Sequence, residues 1–437
     1  MKQANEKAEG LTAQPAGKGP EWMAVVRVYG SILYTTKRWG ASEGEKPIPL
    51  EPSHIDGWMA DCAGSGITTI LWRANCAGTL TYPSRLTALA GECPLPRRYR
   101  VGAEEIEQGF LPADWAFLGE QCRRFNTLEA GVSSAHRHGL KFFLDFSTFD
   151  LVGVWCTPRQ WPEGCGRTFD PDLWLWSKDQ KERLAGVPCY ADPRVRERRV
   201  GEIAEALAYG IDGVFLGFFS HCDAQSGERS NWYGYNPAVV DEYRRRHGLN
   251  PLRQEADVHR LYALHGEHFT QFVREASRVV RGRAKKLFCT ARTDGVHGWN
   301  GKGTGLGQAG AMGDRDLRDG HSALPFAAGF YLEWERWSDE DLVDGLIAYA
   351  PFPDGMALVR QMKRRAGKPV YLMRKYSGWQ GKFAPPQTLE GYQRELEAVR
   401  RGEIDGYALH LMFIVQHEAM KPDWRGLLAP PRRCHRG

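Results

Sequence analysis

Ile211-Asp212-Gly213-Val214-Phe215-Leu216-Gly217 opens on an Asp-Gly pair and runs directly into an apolar, β-branched and aromatic stretch. The same opening recurs in Val343-Asp344-Gly345-Leu346 and Ile404-Asp405-Gly406-Tyr407. Working outward, eight short apolar runs appear: Ala24–Tyr29, Thr68–Arg73, Lys141–Phe146, Val214–Phe219, Lys286–Ala291, Leu346–Ala350, Val370–Arg374 and Tyr407–Phe413. Helical patterns precede most of them: Ser53–Gly64, Asp114–His138, Pro193–Tyr209, Val258–Arg283, Trp337–Leu342, Asp354–Ala366 and Thr388–Arg401. Strands alternating with helices predict a parallel sheet, and eight of them predict an α/β fold closed as a (β/α)8 TIM barrel with long loops at the C-terminal face. The three Asp-Gly pairs then mark the starts of strands 4, 6 and 8. Gly66, Gly139 and Gly367 stand upstream of other strands and suit left-handed helix caps. All these positions fall on the N-terminal face, which stabilises a barrel and does not catalyse.

The composition is that of a globular protein. Of 437 residues, 42% are apolar and 25% charged, which excludes a disordered chain, a collagen and a coiled coil. Purely apolar runs such as Leu411–Val415 are far below the ~20 residues of a membrane span. The net charge of +5 comes from interspersed signs, so neither nucleic acid nor membrane is expected as a partner. There is no CxxC pair; Cys156 and Cys165 bracket a short loop that an oxidising compartment would allow to close. His136-Arg137-His138 has a metal-like spacing but ends the helix before strand 3 and so faces the bottom of the barrel, and His265 and His268 lack a completing ligand at helical spacing, so no metal or cofactor is expected. Residues 1–20 read as a flexible segment without the apolar stretch of a signal peptide, 21–425 as the barrel and 426–437 as a tail. This reads as a cytoplasmic chain, or a secreted or periplasmic one if a leader was removed.

Several stretches then resemble a known group. Gly66-Ile67-Thr68-Thr69-Ile70-Leu71-Trp72 leads to Gly78-Thr79-Leu80-Thr81-Tyr82-Pro83-Ser84. Further on come Ala135–Lys141, Asp192-Pro193-Arg194-Val195-Arg196, Tyr209–Val214, and Leu332-Glu333 with Trp337 and Asp341–Asp344. Together, over about residues 50–415, they look similar to the glycosyl hydrolase-like (family 10-like) bacterial TIM-barrel proteins. The resemblance implies an acidic residue in strand 4, two positions past the inward aromatic. Here that position is Gly217. It also implies an Arg where this chain has Asn75, with Arg73 two residues earlier.

In a barrel the active site is assembled at the C-terminal strand ends. Alternation from Phe143 turns Asp145 and Ser147 inward, and alternation from Phe215 does the same for Gly217, Phe219 and His221. The open space at Gly217 would lie near Asp145. Candidate catalytic groups are Asp145, His221, Asp294 and Glu333, with Asp223 a further carboxyl beyond strand 4. Asp145 is expected at the mouth, within ~10 Å of His221 and of Asp294 or Glu333, because two cooperating carboxyls need that proximity. Strand ends and aromatic loops supply candidate substrate contacts: Arg73, Asn75, Trp155, Trp232, Tyr233, Arg292, Arg374, Tyr376, Trp379 and Gln416. Trp174 and Trp176 read as closing a small subdomain.

Exposed aromatic loops favour sugar rings, whose C–H faces stack on them. The expected function is therefore a glycoside hydrolase acting on an oligo- or polysaccharide. A barrel that binds carbohydrate without catalysis is the alternative, argued from Gly217, and a non-glycosidic hydrolase or lyase is a third reading. If Arg73, Arg292 and Arg374, with Lys375, converge, they suit an acidic sugar: a uronic acid, a sialic acid or a sulfated unit; if Arg73 pairs with Asp145 and Arg292 with Asp294 instead, the pocket is neutral.

Overall fold

The computed structural model of the chain describes residues 20–39, 41–76, 78–92, 98–101, 104–107, 112–149, 170–217, 233–292, 332–349, 355–375 and 389–410. Eight parallel strands close into a barrel in chain order: β1 (Glu21–Arg27), β2 (Thr69–Arg73), β3 (Lys141–Ser147), β4 (Gly213–Gly217), β5 (Lys286–Arg292), β6 (Gly345–Tyr349), β7 (Val370–Lys375) and β8 (Gly406–His410), with β8 pairing back onto β1. The helices are α1 (Val28–Thr35), α2 (Pro52–Gly64), α3 (Pro112–Arg124), α4 (Thr127–Arg137), α5 (Pro193–Leu207), α6 (Pro237–His247), α7 (Val258–Arg281), α8 (Trp334–Asp339), α9 (Gly355–Ala366) and α10 (Leu389–Arg400). This is a (β/α)8 barrel.

Two local expectations are corrected. The first strand begins at Glu21, and Val28 and Tyr29 belong to α1 instead. The Asp114–His138 segment is two helices, because the Asn126 side chain accepts the N–H groups of Leu128 and Glu129 and starts a new helix there. Gly66, Gly139 and Gly367 do adopt the left-handed conformation, at φ 84°, 71° and 58°.

The Asp-Gly echo has a physical cause. Asp212 Oδ2 accepts the Phe142 N–H at 2.8 Å, and the Asp212 N–H returns to the Phe142 carbonyl at 2.8 Å. Asp344 clasps Leu287 at 2.8 Å in both directions, and Asp405 clasps Val370 at 2.9 and 3.0 Å. Thr68 performs the same exchange on Trp22, at 3.0 Å through Oγ1 and 2.8 Å through its N–H. Each even-numbered strand thus hooks the start of the preceding odd-numbered one. Backbone donors there have no strand partner, so a carboxylate or hydroxyl satisfies them.

The glycines of the pairs serve the interior. Gly213, Gly345 and Gly406 give way to Phe143, Phe288 and Tyr371 on the odd strands. The Phe143 and Phe288 rings stack at 4.8 Å across β4, and Phe288 meets Tyr371 at 5.4 Å across β6. A Cβ on Gly345 would stand 3.1 Å from both Phe288 and Tyr371. Small residues on one set of strands and large ones on the other fill the barrel in alternating layers. The inner cluster also contains Met23, Val25, Leu71, Phe215, Ile347, Met373 and Ala408. These residues fix the inward parity of all eight strands.

Candidate active site

That parity carries upward to the mouth of the barrel. On β1, Met23 and Val25 face in, so Arg27 does too; on β2, Leu71 brings Arg73 inward. Arg27 and Arg73 are register partners on adjacent strands. Phe143 brings Asp145 and Ser147 inward on β3, Phe215 brings Gly217 inward on β4, and Phe288 brings Thr290 inward on β5. Arg73, Asp145, Ser147 and Thr290 are all buried. Among the described side chains of this upper inner face, Asp145 is the single carboxylate.

The Asp145 carboxylate lies beside β4. A Cβ built on Gly217 would collide with its Oδ1 and stand 3.5 Å from its Cγ. Above it, Ser147 and Thr148 are tied on every side. The Arg73 Nη2 donates to the Ser147 hydroxyl at 3.5 Å, and the Ser147 N–H donates to Asn75 Oδ1 at 3.3 Å. Arg199 of α5 donates to the Ser147 carbonyl at 2.5 Å, its guanidinium 4.0 Å from the Phe146 ring and paired with Glu202. Thr148 donates to the Gly217 carbonyl through its N–H at 2.9 Å and its hydroxyl at 3.1 Å. The Tyr190 hydroxyl donates to the Thr148 carbonyl at 2.6 Å. Burial pushes the Tyr190 phenol above its ordinary value, so it remains a donor. The end of β3 is therefore a rigid platform for the groups it presents.

Other expected contacts lie elsewhere. Arg374 does not enter the mouth. Its neighbour Met373 faces in, so Arg374 faces the helices, where its Nε donates to Glu395 of α10 at 3.0 Å; the Tyr407 hydroxyl donates to the same carboxylate at 2.9 Å. Tyr233 is buried in the small subdomain built from Trp174–Trp176 and Arg183–Pro188, with its hydroxyl on Glu182 at 3.0 Å. That ring has no open face for a sugar. Glu333 is the residue before α8 and pairs with Arg336 at 3.2 Å. In the same subdomain as Tyr233, the Trp176 face is covered by the Arg183 guanidinium at 3.5 Å. His221, Asp223, Asp294, Trp155, Trp232, Tyr376, Trp379, Gln416, Cys156 and Cys165 lie outside the described residues, and Arg292 is described as a backbone position only.

Sequence reasoning missed Arg27 and Thr290. The signal for both is present: period-two alternation from Met23 and Val25, and from Phe288. Arg27 escapes because a first strand placed over Ala24–Tyr29 starts three residues after Glu21 and runs on into α1.

Among the described residues no three His, Cys, Asp or Glu side chains are grouped to hold a metal ion. His136 Nε2 lies 2.9 Å from Asp212 and His138 Nε2 lies 3.2 Å from Asp56, a different carboxylate. His265 is buried in α7 with Nε2 3.1 Å from the Gly234 carbonyl, so this nitrogen donates. Burial pushes its pKa down to about 3. An unfolded chain binds that proton below about pH 6.5, whereas the folded protein excludes it down to about pH 3. Stability is thus full above pH 6.5 and declines as pH falls toward 3, by up to about 1.4 kcal/mol per pH unit from this group. Urea unfolding at pH 7 and pH 5 is expected to show a smaller loss for His265→Gln than for the unmodified protein. Equal losses would contradict this assignment.

No family model matches the chain, and no curated protein does. Solved glycoside hydrolase barrels superpose on it. The catalytic domain of β-amylase from Paenibacillus polymyxa has a TM-score of 0.49 at 9% identity, covering 94% of this chain and 98% of that one. A β-N-acetylhexosaminidase from Bacteroides fragilis gives 0.47 at 10%, covering 94% and 65%. A chitinase from Chromobacterium violaceum gives 0.40 at 8%, covering 94% and 98%. The barrel rests on its own strand pairing, and the chemistry on the residues, not on likenesses this distant. No helix among the described residues is long and apolar enough to cross a membrane.

Proposed function

We propose that the protein is a glycoside hydrolase in which Asp145 is a reacting carboxyl. The observation that supports this best is the position of Asp145: on the inner face, toward the C-terminal end of the barrel, on the strand next to that of Arg73 and two residues before the braced Ser147. A carboxyl in that position can protonate a departing glycosidic oxygen, or as a carboxylate deprotonate water or attack the anomeric carbon. The Arg73 guanidinium supplies fixed donors for substrate oxygens. The second carboxyl that such chemistry needs would come from Asp294 or Asp223, since Glu333 is engaged by Arg336. A carboxyl separation of ~5–5.5 Å would go with retention and ~6.5–9.5 Å with inversion.

The acidic-sugar version of this reading changes its residues. Arg374 is neutralised by Glu395, but Arg27 is the register partner of Arg73 on the adjacent strand, its guanidinium 5.2 Å from the Tyr29 ring. Two guanidinium groups on adjacent strands suit a carboxylate or sulfate. The test is a panel of neutral and uronic-acid or sulfated oligosaccharides at low and high salt. The acidic reading expects preferential turnover of acidic members, weakened by salt and lost in Arg73→Gln. Equal turnover of both classes, unchanged in Arg73→Gln, would reject acidic specificity and leave hydrolysis standing.

Carbohydrate binding without catalysis is the second reading, favoured by one observation: Asp145 is the single carboxylate among the described side chains of the upper inner face. Binding of panel members with no turnover of any would decide for it.

A further inference from the structure

Two inner-face glycines of the barrel, Gly213 and Gly406, are enclosed by backbone as well as by rings. At Gly213 a Cβ would meet the Lys286 carbonyl oxygen at 2.5 Å as well as the Phe143 ring. At Gly406 it would collide with the Glu21 carbonyl oxygen and stand 2.9 Å from Tyr371. These glycines are required by backbone and core. Gly217 differs: a Cβ there would collide only with the Asp145 carboxylate, and its other neighbour, Phe215 Cε1, would be at an ordinary 3.6 Å. Its backbone does not ask for glycine either, because it lies outside the left-handed region.

We infer that Gly217 is a positioning residue for Asp145: its missing side chain is the volume into which the carboxylate leans from β3 across to β4. The inference rests on the reading of Asp145 as the reacting carboxyl and adds what holds it in place. A methyl at 217 and the present carboxylate position exclude each other, so Gly217→Ala must rotate the carboxylate away from the mouth or push the two strands apart. Because β3 and β4 are adjacent and Asp145 crosses between them, the same volume can be filled from either strand. In the exchange variant Asp145→Gly with Gly217→Asp, the side chain from 217, which pairs with Ser147 and lies diagonal to 145, would bring a carboxylate into this volume.

Two measurements test this together. The first is packing: the stability cost of Gly217→Ala is measured by urea unfolding in the unmodified protein and in an Asp145→Gly background. The inference expects a cost in the former that disappears in the latter, and an equal cost in both would overturn it. This readout needs no substrate, so it stands even if no glycan is hydrolysed, an outcome that would remove the functional reading alone. The second is turnover of a panel member. Gly217→Ala is expected to lose at least about 100-fold, the lower end of what a positioned acid or base contributes. Combined with Asp145→Asn it should be no worse than Asp145→Asn alone, and the exchange variant Asp145→Gly with Gly217→Asp should recover activity above Asp145→Gly. Gly217→Ala with the turnover and pH profile of the unmodified protein would show that Gly217 does not position the carboxylate.

Discussion

Asp145→Asn is expected to reduce glycan turnover by about 10²–10⁴-fold while leaving the fold intact. Asparagine keeps the shape of the side chain beside Gly217 but removes its charge, and with it the ability to exchange a proton or attack as a carboxylate. The neighbouring contacts that hold β3, from Asn75, Arg199, Thr148 and Tyr190, involve backbone atoms of residues 147 and 148 and are untouched by the change. Steady-state kinetics on the best panel substrate, with circular dichroism and thermal melting as controls, make the measurement. A loss confined to kcat assigns Asp145 to the chemical step, because an interaction made only in the transition state leaves ground-state binding unchanged. Unaltered kcat and KM would remove Asp145 from the mechanism.

The largest effect on stability is expected at a position far from the mouth. Gly406→Ala would drive a methyl into the Glu21 carbonyl oxygen at the closure of β8 onto β1, with Tyr371 at 2.9 Å. Neither neighbour can yield cheaply. The carbonyl belongs to a barrel strand, and the Tyr371 hydroxyl donates to Glu21 Oε2 at 3.2 Å. Overpacking of this kind costs about 3 kcal/mol. Gly57→Ala is the contrasting variant. Gly57 sits in α2 with nothing within 4 Å of its absent Cβ, and alanine there is expected to stabilise by about 1 kcal/mol through helix propensity. Paired urea unfolding of the two variants measures both signs. A Gly406→Ala protein as stable as the unmodified one would contradict the tight closure.

The barrel was legible because its signals are local and repeated. The three Asp-Gly pairs are one device used three times: a carboxylate for an early N–H of the neighbouring strand and a gap for that strand's aromatic ring. Asp145 was legible for the same reason, since Phe143 fixes the parity of β3. Arg374 shows where such reading fails. Arg374 and Lys375 end β7 side by side, and their type does not say which one faces the interior; Met373 settles it only once its own neighbours are known. The partner that neutralises Arg374 is Glu395, a charged residue among Tyr392, Leu396 and Val399 on the buried side of α10. A carboxylate within an apolar helical stripe is the sequence signal that a strand-borne cation lies beneath it. Tyr233 failed differently: an aromatic ring in a loop can cover a subdomain as readily as a sugar, and only its bond to Glu182 distinguishes the two. The geometry at Gly217 needed three dimensions, because sequence alone shows a missing side chain and not the carboxylate that occupies its place.

The central claim, that Asp145 acts on a glycosidic bond, is tested most directly by the crystal structure of the Asp145→Asn protein with an oligosaccharide that the unmodified enzyme cleaves. The scissile linkage is expected at the C-terminal mouth, with the introduced side-chain amide at position 145 within hydrogen-bond reach, ~3 Å, of the glycosidic oxygen or against the anomeric carbon. An oligosaccharide bound with its linkage away from residue 145 and flanked by two other carboxyls would contradict it.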